Sequence, residues 1–240
     1  SILAGFHNGS GEVVGDPDLV AANIRSGVDL FGVAGSLSTG TPPQAGVLKT
    51  GQTTYYGAGS DGDLQKGIAR SFTDNGNGTV TDNVTGLMWE KKSYDGTIHN
   101  YNNTYTFSAS SNTALMDGTA VTVFLAALNA GGGFAGYTDW RLPTRFELES
   151  LLNLEYDSYA SSGKLRNFQS FDSSCIYGCA ATSCSCTARG LYLSSTSFPA
   201  FASCSGASCY NIWAVDFTLG DTAPYPKYSS RYVRAVRGGY

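Results

Sequence analysis

Residues 71–92 read SFTDNGNGTVTDNVTGLMWEKK. The Asn-Gly steps at 75–76 and 77–78 are the strongest short-range signal for a hairpin, because Gly and Asn take the positive φ of a tight reversal at little cost. Leu87–Lys92 then reads as a strand. Working outward, TAVTVFLAALNAGGG (119–133) predicts a helix with Val121, Phe124, Leu125 and Leu128 on one face and Gly131 at its end. Within 139–157, Thr144 is placed to N-cap a second helix and Glu147 to complete a capping box, with Leu148, Leu151 and Leu152 facing inward. Segments 191–198, 212–220 and 231–239 read as strands from their alternation and their β-branched and aromatic content. Two helices with several antiparallel strands predict an α+β domain over 71–240.

Residues 1–70 read differently. They are Gly-rich, mostly uncharged and short of large apolar residues, too poor for a core of their own. Asp16–Gly27 fits a short capped helix, Val28–Leu30 a short strand, 38–46 an extended linker around Pro42-Pro43, and 48–67 one further short strand followed by turns. The apolar pieces are Val28, Leu30, Phe31 and Val33. A segment like this gains order only from a partner, and a second copy is the simplest one. Its short strands can add to a sheet edge of the neighbour, giving a filament if the contact repeats and a trimeric stalk if it closes. Residues 1–70 are therefore expected to be an assembly arm and 71–240 the displayed domain, with self-association as the main partnership.

Composition bounds the setting. Charged residues are 14 % of 240, below the ~25 % usual for soluble domains. The Gly/Ser/Thr/Tyr/Asn-rich remainder suits an extracellular surface. The net charge is −4 and no Lys/Arg run exists, which argues against nucleic acid. No stretch reaches the ~18–20 apolar residues of a membrane span. With Ser at position 1 the chain reads as a secreted, mature form after signal-peptide removal. Cys175, Cys179, Cys184, Cys186, Cys204 and Cys209 are even in number and close in sequence, as expected of disulfides in an oxidising compartment. Their spacings differ from paired C-x2-C zinc knuckles, so no metal is expected. Cys184 and Cys186 are too close in sequence to bond each other without strain. Cys204–Cys209 is the easiest pair, and the other connectivities stay open.

The segments RSFTDNGNGTVTDNVTGLMWEKK, GYTDWRLPTRFELESLL, YLSSTSF, WAVDFTLG and YVRAVRGG occur in the order found in the Lcl C-terminal domain family of bacterial collagen-like adhesins. The resemblance spans residues ~70–240. It implies a C-type-lectin-like fold on an extracellular protein, preceded here by an extended Gly-rich arm. Two features depart from the family: Leu193 stands where it usually has Trp, and the cysteine-rich insert is peculiar to this chain.

No chemistry-bearing motif marks an enzyme. The only histidines are His7 and His99, no triad or phosphate loop is present, and no cofactor or catalytic residue is expected. Asp74, Asn75, Asn77 and Asp82 offer oxygens for calcium, but a hairpin that spends them on its own turn is the better reading. The Glu-Pro-Asn and Gln-Pro-Asp tripeptides of calcium-dependent lectins are absent. On one continuous strand Arg231 and Arg237 share a face and Arg234 takes the other. Partners such as Asp139 or Asp216 are expected for these arginines rather than sulfated glycans. The best binding candidates lie in 196–230, where Phe198, Phe201, Tyr210, Tyr225 and Tyr228 stand with Asn211 among small polar residues, the mixture that adaptable binding faces use. The sequence thus points to a non-enzymatic extracellular fibre subunit or stalked adhesin with a lectin-like head. The alternative is a monomeric or trimeric module binding a surface glycan or protein, of phage type or diversified by a retroelement.

Overall fold

The computed structural model describes residues 21, 24, 28–30, 32–35, 46–111, 115–156, 167–199 and 210–239. The chain forms two compact units, 1–45 and 46–240. The boundary expected at 70/71 falls inside the second. There, Leu48 bridges Ile68, Leu154 donates to the Thr50 carbonyl, and the Glu155 carboxylate takes the Thr53 and Thr54 amides.

In the first unit, β1 (Asp29–Leu30) and β2 (Val33–Ala34) form a two-residue hairpin, with Gly32 at φ 83° supplying the reversal. Val28 is 41 % exposed and Val33 half-buried, while Phe31 lies outside the described residues. The helix expected at Asp16–Gly27 also lies largely outside them.

The second unit is a mixed α/β domain. One sheet orders its strands β11-β5-β4-β3: β3 (Phe72–Asp74), β4 (Thr79–Asp82), β5 (Met88–Glu90) and β11 (Val236–Arg237), all antiparallel. The hairpin stands where the Asn-Gly steps put it. Gly76 and Gly78 have φ of 72° and 90°, and Asn75 donates its amide to the Thr79 carbonyl. The oxygens weighed for calcium are mostly spent on local contacts, while the buried Asp82 Oδ2 has no hydrogen-bond partner among the described residues. Asp74 takes Gly76 N and Lys91 Nζ, Asn77 takes the Thr79 hydroxyl, and Asp82 takes the Val84 and Thr85 amides.

The other sheet orders β6-β10-β7-β8-β9: β6 (Thr104–Tyr105), β7 (Leu191–Ser197), β8 (Asn211–Asp216), β9 (Asp221–Pro226) and β10 (Arg231–Tyr232), with β10 and β7 parallel. The sequence reading put one strand over 231–239. The chain instead leaves the second sheet after Tyr232 and joins the first at Val236, which cancels the simple alternation of Arg231, Arg234 and Arg237. β9 was not among the expected strands, and it carries two prolines, Pro224 and Pro226. It is a free-edge strand. Lys227 N bonds the Tyr210 carbonyl, so by alternation 225, 223 and 221 face β8 while 224 and 226 turn their main chain outward, where a missing N–H costs nothing.

α1 (Asp61–Leu64) is a single turn capped by Ser60, standing where turns were expected after the short strand in 48–67. The helix expected at 119–133 starts as a π-helical stretch over Ala120–Leu125 and ends as α2 (Ala126–Asn129). Phe124, Leu125 and Leu128 are buried in one apolar cluster with Trp140, Leu142, Leu193 and Ile212, and Val121 packs at its edge. α3 (Arg145–Glu149) carries the full capping box: Thr144 Oγ1 accepts Glu147 N, and Glu147 accepts Thr144 N. Leu148 and Leu151 reach 0 % exposure in a second cluster with Val80, Trp89, Phe171, Tyr192 and Val215. Leu193, at the position where Trp is usual, is itself fully buried.

Between the sheets lies a charged core. Glu90, Lys92 and Arg234 are each at most 1 % exposed. Glu90 Oε1 takes Lys92 Nζ (3.0 Å) and meets His99 Nδ1 (2.8 Å), and its Oε2 takes Ala235 N (3.0 Å). Arg234 was expected to need a carboxylate. It donates instead to the carbonyls of Glu90 and Cys186 and to Thr187 Oγ1, all within 2.8 Å, because its strand exit points it between β5 and the cysteine loop. Arg237 does find Asp139, at 2.7 Å, with its guanidinium 3.6 Å above the Tyr137 ring.

Candidate functional site

The pleat divides the residues of 196–230. Asn211 and Trp213 lie in register with Pro226 and Pro224, on one side of the sheet; Tyr225 lies in register with Ile212, on the other. On the Trp213 side, Phe198 packs edge-on at 5.0 Å and Arg145 lies 4.3 Å over the indole. Glu149 fixes that arginine at 2.7 Å and takes the Thr222 hydroxyl. On the Tyr225 side, Arg231 lies 4.7 Å over the ring. Tyr210 is half-buried and its carbonyl serves Lys227 N, while Tyr228 is 41 % exposed in the turn after β9. Phe201, Cys204 and Cys209 lie outside the described residues.

A more concave site lies at residues the sequence reading did not single out. Tyr94, Asp95, Gly96, Asn100, Tyr177 and Gly178 line a cleft of about 280 Å³. Tyr94 stands edge-on to both Tyr101 (4.9 Å) and Tyr177 (5.3 Å). Tyr101, by charge and by a hydrogen bond, holds the Tyr94 phenol above its usual range. Tyr177 is 86 % exposed and Ile176 beside it 69 %. Main-chain bonds from Gly178 N to Tyr94 O and from Tyr94 N to Cys179 O tie the two halves of the cleft together.

The loop that carries Tyr177 is stapled twice. Cys175 bonds Cys186 and Cys179 bonds Cys184. As the spacing required, Cys184 and Cys186 do not bond each other. Among the described residues there is no free cysteine. The staples tie the cleft's rim to the buried Cys184 and Cys186.

Asp95 presents one oxygen to the protein and one outward. Oδ1 takes Ser93 Oγ, Thr97 N and Thr97 Oγ1, whereas Oδ2 has no partner among the described residues. Partial burial raises its pKa, but those hydrogen bonds outweigh it and leave the carboxyl below its usual range, so it is a carboxylate at neutral pH. Asn100 Oδ1 takes Asn102 N, and its Nδ2 likewise has no partner among the described residues. The cleft therefore offers a free anionic acceptor, a free amide donor and two aromatic faces. Tyr101 also lines a second cleft of about 410 Å³, with Asn102, Asp172, Thr187, Arg189 and Tyr232.

The model of the Lcl C-terminal domain matches residues 78–237, two-thirds of the chain. The chain belongs to the Lcl C-terminal domain family. Among curated proteins none matches it. Within this Lcl C-terminal domain, the match takes in both sheets from β4 onward, α3, the stapled loop and all residues of the tyrosine cleft. The cleft escaped the sequence reading because Tyr94 and Tyr177 are 83 positions apart and share no motif; only the unusual tyrosine count, 15, hinted at it. No helix among the described residues is long and apolar enough to cross a membrane.

Proposed function

We propose that this chain is a non-enzymatic extracellular surface protein with a lectin-like head that binds a neutral glycan in the Tyr94–Tyr177 cleft. The observation that carries this reading is the pairing of the exposed Tyr177 ring and the half-buried Tyr94 ring with the unengaged Asp95 Oδ2 and Asn100 Nδ2. A sugar ring has an apolar C–H face and a rim of hydroxyls. The face packs on a tyrosine, and vicinal hydroxyls bridge a carboxylate and an amide. The volume lies just below the roughly 300–1,000 Å³ typical of ligand sites, which suits one ring of a longer chain. Secreted disulfides suit the setting, and family membership supports display at a surface. The test is a glycan array with the full chain beside Tyr177→Ala. Glycan binding by the first that the second loses supports the reading. Binding unchanged by the substitution, or no glycan bound at all, overturns it.

A second reading, homo-oligomerisation through residues 1–70 into a fibre or stalk, is favoured by the exposed Val28 beside the hairpin β1–β2. Light scattering and negative-stain microscopy on the full chain and on residues 46–240 test it. An oligomer that falls to monomers on removal of 1–45 supports an assembly arm; monomers in both sink it.

A further inference from the structure

The stapled loop holds an arrangement of sulfurs that two separate disulfides do not need. Cys186 Sγ lies 3.9 Å from the Sγ atoms of both Cys179 and Cys184, and it is bonded to neither. These three sulfurs all fall within 4.8 Å of one another. Cys175 Sγ joins them through its bond to Cys186. We propose that, when reduced, these four cysteines hold one thiophilic cation, Zn2+, so that the loop has a metal-clamped form besides its disulfide form.

Geometry argues first. A zinc–thiolate bond of about 2.3 Å places the sulfurs of a tetrahedral site about 3.8 Å apart. The two non-bonded edges at Cys186 already have that length. To complete the tetrahedron the two bonded pairs must open, and Cys175 Sγ, which lies outside the three-sulfur group, must swing in toward Cys179 and Cys184. That is within reach of side-chain rotation, since their Cα atoms are 5.1 and 6.0 Å apart. The Cys184-x-Cys186 step, too short for a disulfide, sets two sulfurs side by side as ligands require.

Burial and charge argue next. Cys184 and Cys186 are 1 % and 0 % exposed, so water is kept from that side of the site. Four thiolates and one Zn2+ carry a net charge of −2. The buried Arg234 donates to the Cys186 carbonyl, and the Lys92 carbonyl accepts Cys186 N. The guanidinium supplies positive charge beside the cluster and favours thiolate over thiol.

The chemistry balances as follows. A phosphine reduces each disulfide with one water, becoming a phosphine oxide and giving two thiols. Two phosphines thus give four thiols, and zinc binding releases their four protons to solvent. A loop built this way stays closed in a reducing compartment, where the disulfides are absent, and again after oxidation outside.

The experiment uses the full chain carrying Cys204→Ser and Cys209→Ser, reduced with a water-soluble phosphine and titrated anaerobically with Co2+ as a spectroscopic stand-in for Zn2+. One Co2+ per chain is expected, with sulfur-to-cobalt charge-transfer absorption and tetrahedral visible bands that Zn2+ bleaches. Cys184→Ser and Cys186→Ser, each checked for native-like circular dichroism, are expected to weaken binding at least tenfold. Less than one equivalent bound, octahedral spectra, or a reduced chain that unfolds even with Zn2+ present would overturn the proposal. So would equal affinity in the folded serine variants.

Discussion

Lys92 Nζ and Glu90 Oε1 lie 3.0 Å apart with both side chains sealed from solvent, at 1 % and 0 % exposure. A pair this buried adds little over an apolar pair, yet breaking it leaves an uncompensated charge. Glu90→Gln strands Lys92 and weakens the anchor of His99. The expected loss is about 3–5 kcal/mol in urea unfolding at neutral pH. A loss below about 1 kcal/mol would mean that Lys92 finds another partner or gives up its proton.

Acid should act on the same group. Burial raises the Glu90 pKa, but Lys92, His99 and the Ala235 amide outweigh it and leave the folded value below the ordinary one. Glu147 and Asp74 are lowered as well, burial again being opposed by Arg141 and Thr144 in one case and by Lys91 and Gly76 in the other. A carboxyl depressed in the folded state contributes stability that is present above its unfolded pKa and lost as pH falls through the folded one. Unfolding midpoints are therefore expected to be flat from pH 7 to about 5 and to fall below that. Stability that rises on acidification to pH 3 would contradict the direction.

Glu155 offers a local version of this effect. The Thr53 amide, then the Thr54 hydroxyl and amide, pull its pKa down to about 2. The clasp holding residues 50–56 should thus be intact above pH 4.5 and open as pH falls toward 2. Glu155→Gln should open it at neutral pH. Hydrogen exchange of the Thr53 and Thr54 amides reads the outcome; unchanged protection in the variant would show that packing alone holds the segment.

The tyrosine cleft predicts a separation of binding from stability. Tyr177 is mostly exposed, so Tyr177→Ala should leave the melting temperature within about 2 °C while cutting glycan affinity at least tenfold. Asp95→Asn keeps the shape and removes the charge, and should cost several-fold in affinity. Isothermal titration beside thermal unfolding separates the two effects, and equal losses in both would place these residues in the fold instead.

At α3, two substitutions four residues apart should rank clearly. Thr144→Ala removes the cap and is expected to cost about 1 kcal/mol. Leu148→Ala empties a fully buried site and is expected to cost about 2–5 kcal/mol. Denaturant midpoints with unchanged slope check the order.

Thr144 and Glu147 were legible in advance because a cap is a local device: its donors and acceptors lie three residues apart. The Asn-Gly hairpin was legible for the same reason. β9 was not, since Pro224 and Pro226 are tolerated only at a sheet edge, and an edge is a property of the whole topology. The sheet change between Tyr232 and Val236 hid behind an unbroken alternation. Arg234 could be marked as structural, but its carbonyl partners come from β5 and the cysteine loop, 144 and 48 positions away. The tyrosine cleft was illegible for the same reason, being assembled from a turn and a stapled loop.

The outward prolines of β9 have a bearing on crowding. A sheet edge with its amides free is a template onto which the edge of the next molecule can lock irreversibly. Here positions 224 and 226 present carbonyls with no amides between them, so two such edges brought side by side lack the donors for a continuous ladder. Copies of this domain held at high local density can touch along that flank and still come apart.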